Sequence, residues 1–299
     1  MNADACTTGG VADAAPLVAQ TIAIALPYTY AALGGAVTER SGMIDLALEA
    51  KLLFGAFAAA AIAYATGSTW AGIAGGALAG MMVAALQAGC ALGLGADQVI
   101  VGVALNLLAF GGTRFLLQII FHEGANSPPT PELSGVLGNP LAWGALVAAI
   151  AVPLAVARSR WGLRLRAAGD RPDALVAVGV APNRARVHAA LVGGALAGAG
   201  GAQLSLSVGG FSADMSSGRG YIALAMIILS GWRPAIATVA CLGIALAHVA
   251  NVKLQLAGIG GAATREAIQT LGPLLPYIAT LVVLVAYGKA RPPPRALGK

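Results

Sequence analysis

About nine apolar stretches constrain this chain more than any other feature: residues 17–37, 52–66, 70–94, 98–120, 141–157, 187–208, 221–232, 235–250 and 267–287. A hydrocarbon core about 30 Å thick is crossed by roughly 20 apolar residues in an α-helix rising about 1.5 Å per residue. Several of these runs are long enough to cross alone, and others are too brief. Only 10% of the residues are charged against 58% hydrophobic, and the mean hydropathy is +0.80, which excludes a water-soluble domain. The expected fold is an all-α polytopic membrane protein with about 8 to 10 transmembrane segments, some discontinuous, and a helix on the cytoplasmic surface. Residues 1–16 lack the positive region of a signal peptide, and the run beginning at Leu17 is too long for a signal core, so it is read as a true span.

Charge placement sets the expected orientation. Seven arginines, Arg158, Arg160, Arg164, Arg166, Arg171, Arg184 and Arg186, crowd one loop, and Lys289, Arg291, Arg295 and Lys299 crowd the tail. By the positive-inside rule both face the cytoplasm. The loop FHEGANSPPTPELSGVLGNP, residues 121–140, holds Glu123 and Glu132 but no Lys or Arg, and is expected outside. Counting crossings backwards puts the charge-poor N-terminus outside too. The sequence pI of about 9.5 invites a nucleic-acid reading, but the arginines flank apolar spans and no aromatic residues are interleaved to stack bases, so no nucleic acid is expected. The expected organisation is one transmembrane unit: a tail at 1–16, a first helix group at 17–157, a basic loop at 158–186, a second group at 187–288 and a tail at 289–299.

Within this apolar text TERSGMIDLALEAK, residues 38–51, gathers Glu39, Arg40, Asp45, Glu49 and Lys51. Ionisable groups near the bilayer interior cost about 2.5–3.5 kcal/mol each and persist where they face a bundle interior, a cavity or one another. Ser41-Gly42 permits a bend, so the stretch reads as a loop feeding a helix, with Asp45 and Glu49 on one face, Lys51 to the side, and Glu39 and Arg40 nearer the cytoplasmic surface. GGFSADMSSGRGYIALAMIILSGW, residues 209–232, offers a partner: aligning Gly42 with Gly220 also matches Ile44, Leu46 and Ala47 with Ile222, Leu224 and Ala225. Paired interruptions of this kind line binding sites in transporters with internal repeats. Breaks are therefore expected at 41–46 and 218–221.

The basic loop WGLRLRAAGDRPDALVAVGVAPNRARVHAA, residues 161–190, carries its own helix signals. Pro172 suits a first helical turn, Gly179 a stop, and Asp170 is placed to cap the helix. Cys6, Cys90 and Cys241 stand singly, without the spacing of a disulfide framework or zinc site. His188 and His248 are lone histidines near span ends and read as structural or interfacial.

These blocks together resemble the membrane subunits of bacterial ABC importers of the branched-chain amino acid, ribose and nucleoside type. TERSGMIDLALEA is similar to that family's ERSG(V/I)xNIxLEG block, and GADQVIVGVALNLLAF to its second block. GLRLRAAGDRPDALVAVGVAPNRAR resembles its cytoplasmic loop, and the likeness resumes across residues 195–234. Their order and spacing, from about residue 30 to 250, make the resemblance specific. This chain departs from the pattern at Asp45 and Ala50, where the family has Asn and Gly, and Lys51 follows. An extra carboxylate near a pore would disfavour anionic solutes.

The resemblance implies a permease subunit of an ATP-driven importer in the bacterial inner membrane, carrying a small polar solute, with nucleosides or simple sugars closest. The alternatives are a branched-chain amino acid permease and an ion-coupled secondary transporter. No covalent chemistry is expected of the chain. It contains no P-loop GxxxxGK(S/T), HExxH or GxSxG, so it should carry no cofactor and ATP would be hydrolysed by a partner. The implied partners are a cytoplasmic ABC ATPase, a second permease subunit, identical or homologous, an extracytoplasmic solute-binding protein or lipoprotein, and the bilayer. The C-terminus would be cytoplasmic. Candidate pathway residues are Asp45, Asn106, Gln203, Ser205 and Arg219, each in or beside a break or inside a span, although polar residues in spans also serve to bond neighbouring helices. Contact with the ATPase would fall on Gly169, Asp170, Arg171, Pro172, Ala174, Gly179 and Arg184.

Overall fold

The computed structural model describes residues 14–133, 135, 138–257 and 293–298. Its helices are α1 (Ala14–Arg40), α2 (Leu48–Thr66), α3 (Thr69–Ala88), α4 (Gln98–Phe121), α5 (Pro140–Arg158), α6 (Arg160–Asp170), α7 (Pro172–Ala177), α8 (Pro182–Leu206), α9 (Arg219–Leu229) and α10 (Pro234–Ala257). A π-turn, Gly89–Gly93, extends α3. Among the described residues seven helices carry apolar spans of 19 to 25 residues, long enough to cross a membrane, and α9 is a shorter apolar helix. The chain is therefore a multi-pass all-helical membrane protein. The ninth expected run, 267–287, lies outside the described residues.

Side-chain caps set several helix starts. The Ser68 hydroxyl accepts the Ala71 N–H ahead of α3, and the Asp97 carboxylate accepts the N–H groups of Val99 and Ile100 ahead of α4. Asn139 accepts the Leu141 N–H, with Pro140 already in the first turn of α5. Each satisfies a donor that the helix itself leaves open.

Packing places α8 at the centre. Of its span 72% is buried, against 17% for α5, so α8 is surrounded by α1, α2 and α3 while α5 stands at the edge. Small residues allow the close approach: a Cβ at Gly198 would sit 2.2 Å from the Gly76 carbonyl oxygen on α3. In lipid, where no hydrophobic force drives apolar helices together, such backbone contact supplies much of the packing.

The charge-poor loop closes one end of the bundle. Ser127 N–H donates to Phe211 O at 2.7 Å, Thr130 N–H to Gly209 O at 2.8 Å and Leu133 N–H to Leu206 O at 2.9 Å. The basic loop lies at the other end. It is more ordered than a loop with one helix, because α6 occupies 160–170 and α8 begins at Pro182 rather than near Val187. The described part of the tail, 293–298, reaches this same end: Ala296 N–H donates to Gly169 O at 2.8 Å and Gly298 N–H to Gly42 O at 3.0 Å.

Candidate functional site

The stretch 41–47 is not helical, as expected. Gly42 turns the chain with φ +95°, and the backbone stays extended or turned until α2 starts at Leu48. Non-helical backbone at membrane depth requires partners from the protein, and side chains of α3 and α4 provide them. Ile44 N–H donates to Gln98 Oε1 at 2.7 Å, and Gln87 Nε2 donates to Ile44 O at 3.0 Å. Asn106 donates to Leu46 O at 2.8 Å and accepts the Ala50 N–H at 2.9 Å. Asn106 stands roughly 12 Å further along α4 than Gln98 at 1.5 Å per residue, so the segment climbs well into the bilayer before α2 begins.

The second interruption spans 207–218 rather than 218–221, and α9 starts at Arg219. Gly220 is already helical while Gly42 sits in a turn, so the alignment of Gly42 with Gly220 does not describe equivalent positions. What relates the two breaks is a contact. Glu49, in the first turn of α2, accepts the Ser216 hydroxyl at 2.6 Å and the Gly218 N–H at 2.8 Å through Oε1, and the Gly220 N–H at 2.6 Å through Oε2. The N-cap of α9, Gly218, has a left-handed φ of 77° and no side chain to cap with, so a carboxylate from the other break meets the positive end of the helix.

Glu39 holds the opposite end of α9, accepting the Trp232 indole N–H at 2.6 Å. Both charges of this pair come from one stretch of sequence, and they fasten one short helix at its two termini. Lys51 donates to Asp45 Oδ1, while Asp45 Oδ2 has no hydrogen-bond partner among the described residues. Asp45 precedes the helix and so does not share a helical face with Glu49. Glu39, Asp45, Glu49 and Lys51 are all 0–3% exposed, and Glu39 is neither solvated at the surface nor open to a path.

A different polar surface lies beside this buried joint. Arg114 on α4 pairs with Asp214 of the second break, their side chains 59% and 37% exposed. Arg219 donates to Met215 O at 2.5 Å, and Tyr221, 46% exposed, accepts from Asn106 at 3.0 Å. The Arg114–Asp214 pair lies toward the end of the bundle closed by residues 121–133, where Ala213 N–H donates to Ala125 O at 2.8 Å. The arrangement is that of a face turned to water or to another polypeptide.

Asn106 and Arg219 thus lie beside the meeting point of the two breaks, whereas Asp45 is tied within its own stretch, to Lys51 and through its N–H to Glu39 at 3.4 Å. Gln203 and Ser205 do not lie there either: Gln203 accepts from Asn139 at 2.8 Å and Ser205 donates to Ala202 O at 3.4 Å, so both bond within or between helices. Sequence reasoning missed Glu49, Lys51, Arg114, Asp214 and Tyr221 as members of the site. Arg114 carried a usable signal, a lone charge inside an apolar run. Among the described residues no group of three or more His, Cys, Asp or Glu side chains is placed to hold a metal ion.

At the basic end α7 has the expected form, with Pro172 in its first turn and Gly179 closing it at φ +74°. Leu175 anchors it, while Arg171, Ala174, Val176 and Val178 are exposed. Arg184, in the first turn of α8, is exposed beside a 260 Å³ hollow shared with Trp161 and His188. Asp170 does not cap α7. It is the last residue of α6, and its carboxylate reaches Arg40 at 3.4 Å. Gly169 abuts the first break: a Cβ there would lie 2.3 Å from Arg40 O and 3.2 Å from Gly42 N. The α6 terminus therefore bears directly on residues 40–42.

Comparison with known proteins accords with these features. The profile of the family described as branched-chain amino acid transport system / permease component matches residues 17–286, and the chain belongs to that family. It is similar to the nucleoside ABC transporter permease protein NupC of Lactococcus lactis, 29% identical over 93% of this chain and 94% of that protein. It is also similar to the putative glucose ABC transporter permease protein TsgC13 of Haloferax volcanii, 30% identical over 91% of both chains. The guanosine ABC transporter permease protein NupQ of Bacillus subtilis is 27% identical over 94% of this chain and 95% of its own. No solved structure matches the chain.

Proposed function

We propose that this chain is the membrane-spanning subunit of an ATP-driven importer for a neutral, hydrogen-bonding solute, a nucleoside in the first instance. The observation that carries the reading is the exposed polar face of Arg114, Asp214, Arg219 and Tyr221, next to two helix starts joined through Glu49. Hydroxyl groups of a sugar or ribose suit the guanidinium and carboxylate groups there, and the exposed Tyr221 ring adds a surface for a flat base. Relatives named for nucleoside, guanosine and glucose transport share this solute chemistry. The ring favours a nucleoside over a simple sugar.

In this reading Asp45 and Asn106 hold the wall from behind while Arg219 and Tyr221 meet the solute. The exposed residues of α7, with Arg171, Ala174 and Arg184, form the contact with a cytoplasmic ABC ATPase in the inner membrane, whose ATP hydrolysis drives the cycle. A second permease subunit covers the other side of the passage, and an extracytoplasmic binding protein delivers the solute. Force entering α7 passes along α6 to Gly169, then to Arg40 and Gly42, then through the 41–47 segment to Glu49 and the start of α9. Shifts in a packed contact of this kind move whole elements rather than bending them.

The test is uptake of labelled nucleoside by vesicles holding the full chain and its partner subunits. Tyr221→Ala and Arg219→Gln are expected to raise the half-saturating concentration while leaving co-purification of the ATPase intact. Arg171→Glu is expected to do the reverse. Uptake that persists without the ATPase would identify an ion-coupled carrier instead, and competition by glucose but not nucleosides would move the assignment to sugars.

A further inference from the structure

A second feature shares Arg40 with that route but is built on α1, α5 and α10. At the cytoplasmic end of α1, α5 and α10 a 470 Å³ cleft is walled by Arg40, Arg166 and Arg233, with Trp232 and Pro153 between them. Arg166 spends two donors on carbonyls, its Nε on Gly162 O at 3.4 Å and one Nη on Ala157 O at 3.1 Å, leaving the remainder of its guanidinium fork. Arg40 is partly neutralised by Asp170. Arg233 is exposed and pairs with no carboxylate among the described residues. From beneath, Glu39 is committed to the Trp232 indole. The cleft thus keeps a surplus of positive charge.

The same three helices enclose a 400 Å³ groove immediately above it, lined by apolar side chains such as Leu26, Ala149, Leu146 and Leu242, with Thr238. The two spaces are neighbours: Ala149 lines the upper and Pro153 the lower, about 6 Å apart along α5. The flank of α5 beside the groove exposes Trp143, Leu146 and Ile150, as a helix facing acyl chains does. An occupant must therefore present an anion at the cytoplasmic surface and a hydrocarbon chain above it, and it can enter sideways from the bilayer.

We infer that the α1–α5–α10 groove is a binding site for an anionic phospholipid, its headgroup phosphate on Arg166 and Arg233 and an acyl chain against α5 and α10. Basic pockets between spans on the cytoplasmic side recognise such headgroups through charge. A soluble anion would use the arginines but gain nothing from the groove.

The full chain with its partner subunits, purified in detergent, would be titrated with phosphatidylglycerol, phosphatidylcholine or inorganic phosphate and read by native mass spectrometry. Preferential retention of phosphatidylglycerol is expected. Arg166→Gln and Arg233→Gln should each weaken it about fivefold, the worth of one basic residue near an anionic headgroup. Ala149→Trp, which fills the groove without touching charge, should weaken phosphatidylglycerol and phosphatidylcholine alike. If the arginine variants change nothing, or if inorganic phosphate competes as well as the lipid does, the site is not a phospholipid site. Failure to retain lipid in the assembled complex, with retention in the isolated chain, would overturn it in favour of a protein contact. Because Arg233→Gln is an exposed substitution, its loss of lipid is readable even if Ala149→Trp fails to fold.

Discussion

The buried joint and the exposed face use the same residue types to opposite ends. Glu39, Asp45, Glu49 and Lys51 sit at 0–3% exposure, whereas Arg114 and Asp214 are 59% and 37% exposed in their side chains. Burial obliges a charge to find partners, and Glu49 finds three donors while Lys51 finds Asp45. Exposure leaves donors and acceptors open to a solute. The joint fixes where two helices begin, and the face supplies what a polar passenger meets.

The sharpest test of this contrast is removal of Glu49. Glu49→Ala would leave the Ser216 hydroxyl and the Gly218 and Gly220 amides unpaired, and we expect a loss of about 3–5 kcal/mol, read as a lower unfolding midpoint in detergent. An unchanged midpoint would mean that the carboxylate is not a fastening. Lys51→Met should cost about 3 kcal/mol by stranding Asp45, and the double variant Asp45→Leu/Lys51→Met should recover most of it. Purely additive losses would show that the pair is not coupled.

Gly169→Val comes next, since a side chain there collides with Arg40 O. Overpacking of this kind costs about 1–3 kcal/mol, and solute-stimulated ATP hydrolysis should fall more than unstimulated hydrolysis. Equal falls would remove Gly169 from the route of force. The smallest effect on stability belongs to the exposed pair: Arg114→Gln or Asp214→Asn should shift it by less than about 1 kcal/mol. Uptake at low solute concentration should nevertheless drop roughly tenfold, the scale of one lost charged hydrogen bond. Unchanged uptake would make this face a plain protein contact.

Much of this architecture is written locally. Apolar length gives the spans at 70–94, 98–120 and 141–157 nearly as they fold, and Gly42 and Gly179 mark turns whose positive φ suits a residue without Cβ. The surface helix after Pro172 is equally local. The role of Asp170 was not legible, because a carboxylate before a helix looks like a cap whether or not a distant Arg40 claims it.

The amino-acid sequence by itself determined that this chain crosses a membrane many times, that its arginines gather in one loop, and that the helices break within residues 38–51, since hydropathy, charge and turn preference act over a few neighbouring residues. Only the tertiary structure decided which charges are buried and which are open. Glu49 reaches the Gly218 and Gly220 amides, far along the chain, and Arg114 reaches Asp214, and no local rule contains those distances. In a low-dielectric interior it is the presence of a partner within hydrogen-bond range that makes a carboxylate a fastening rather than a liability.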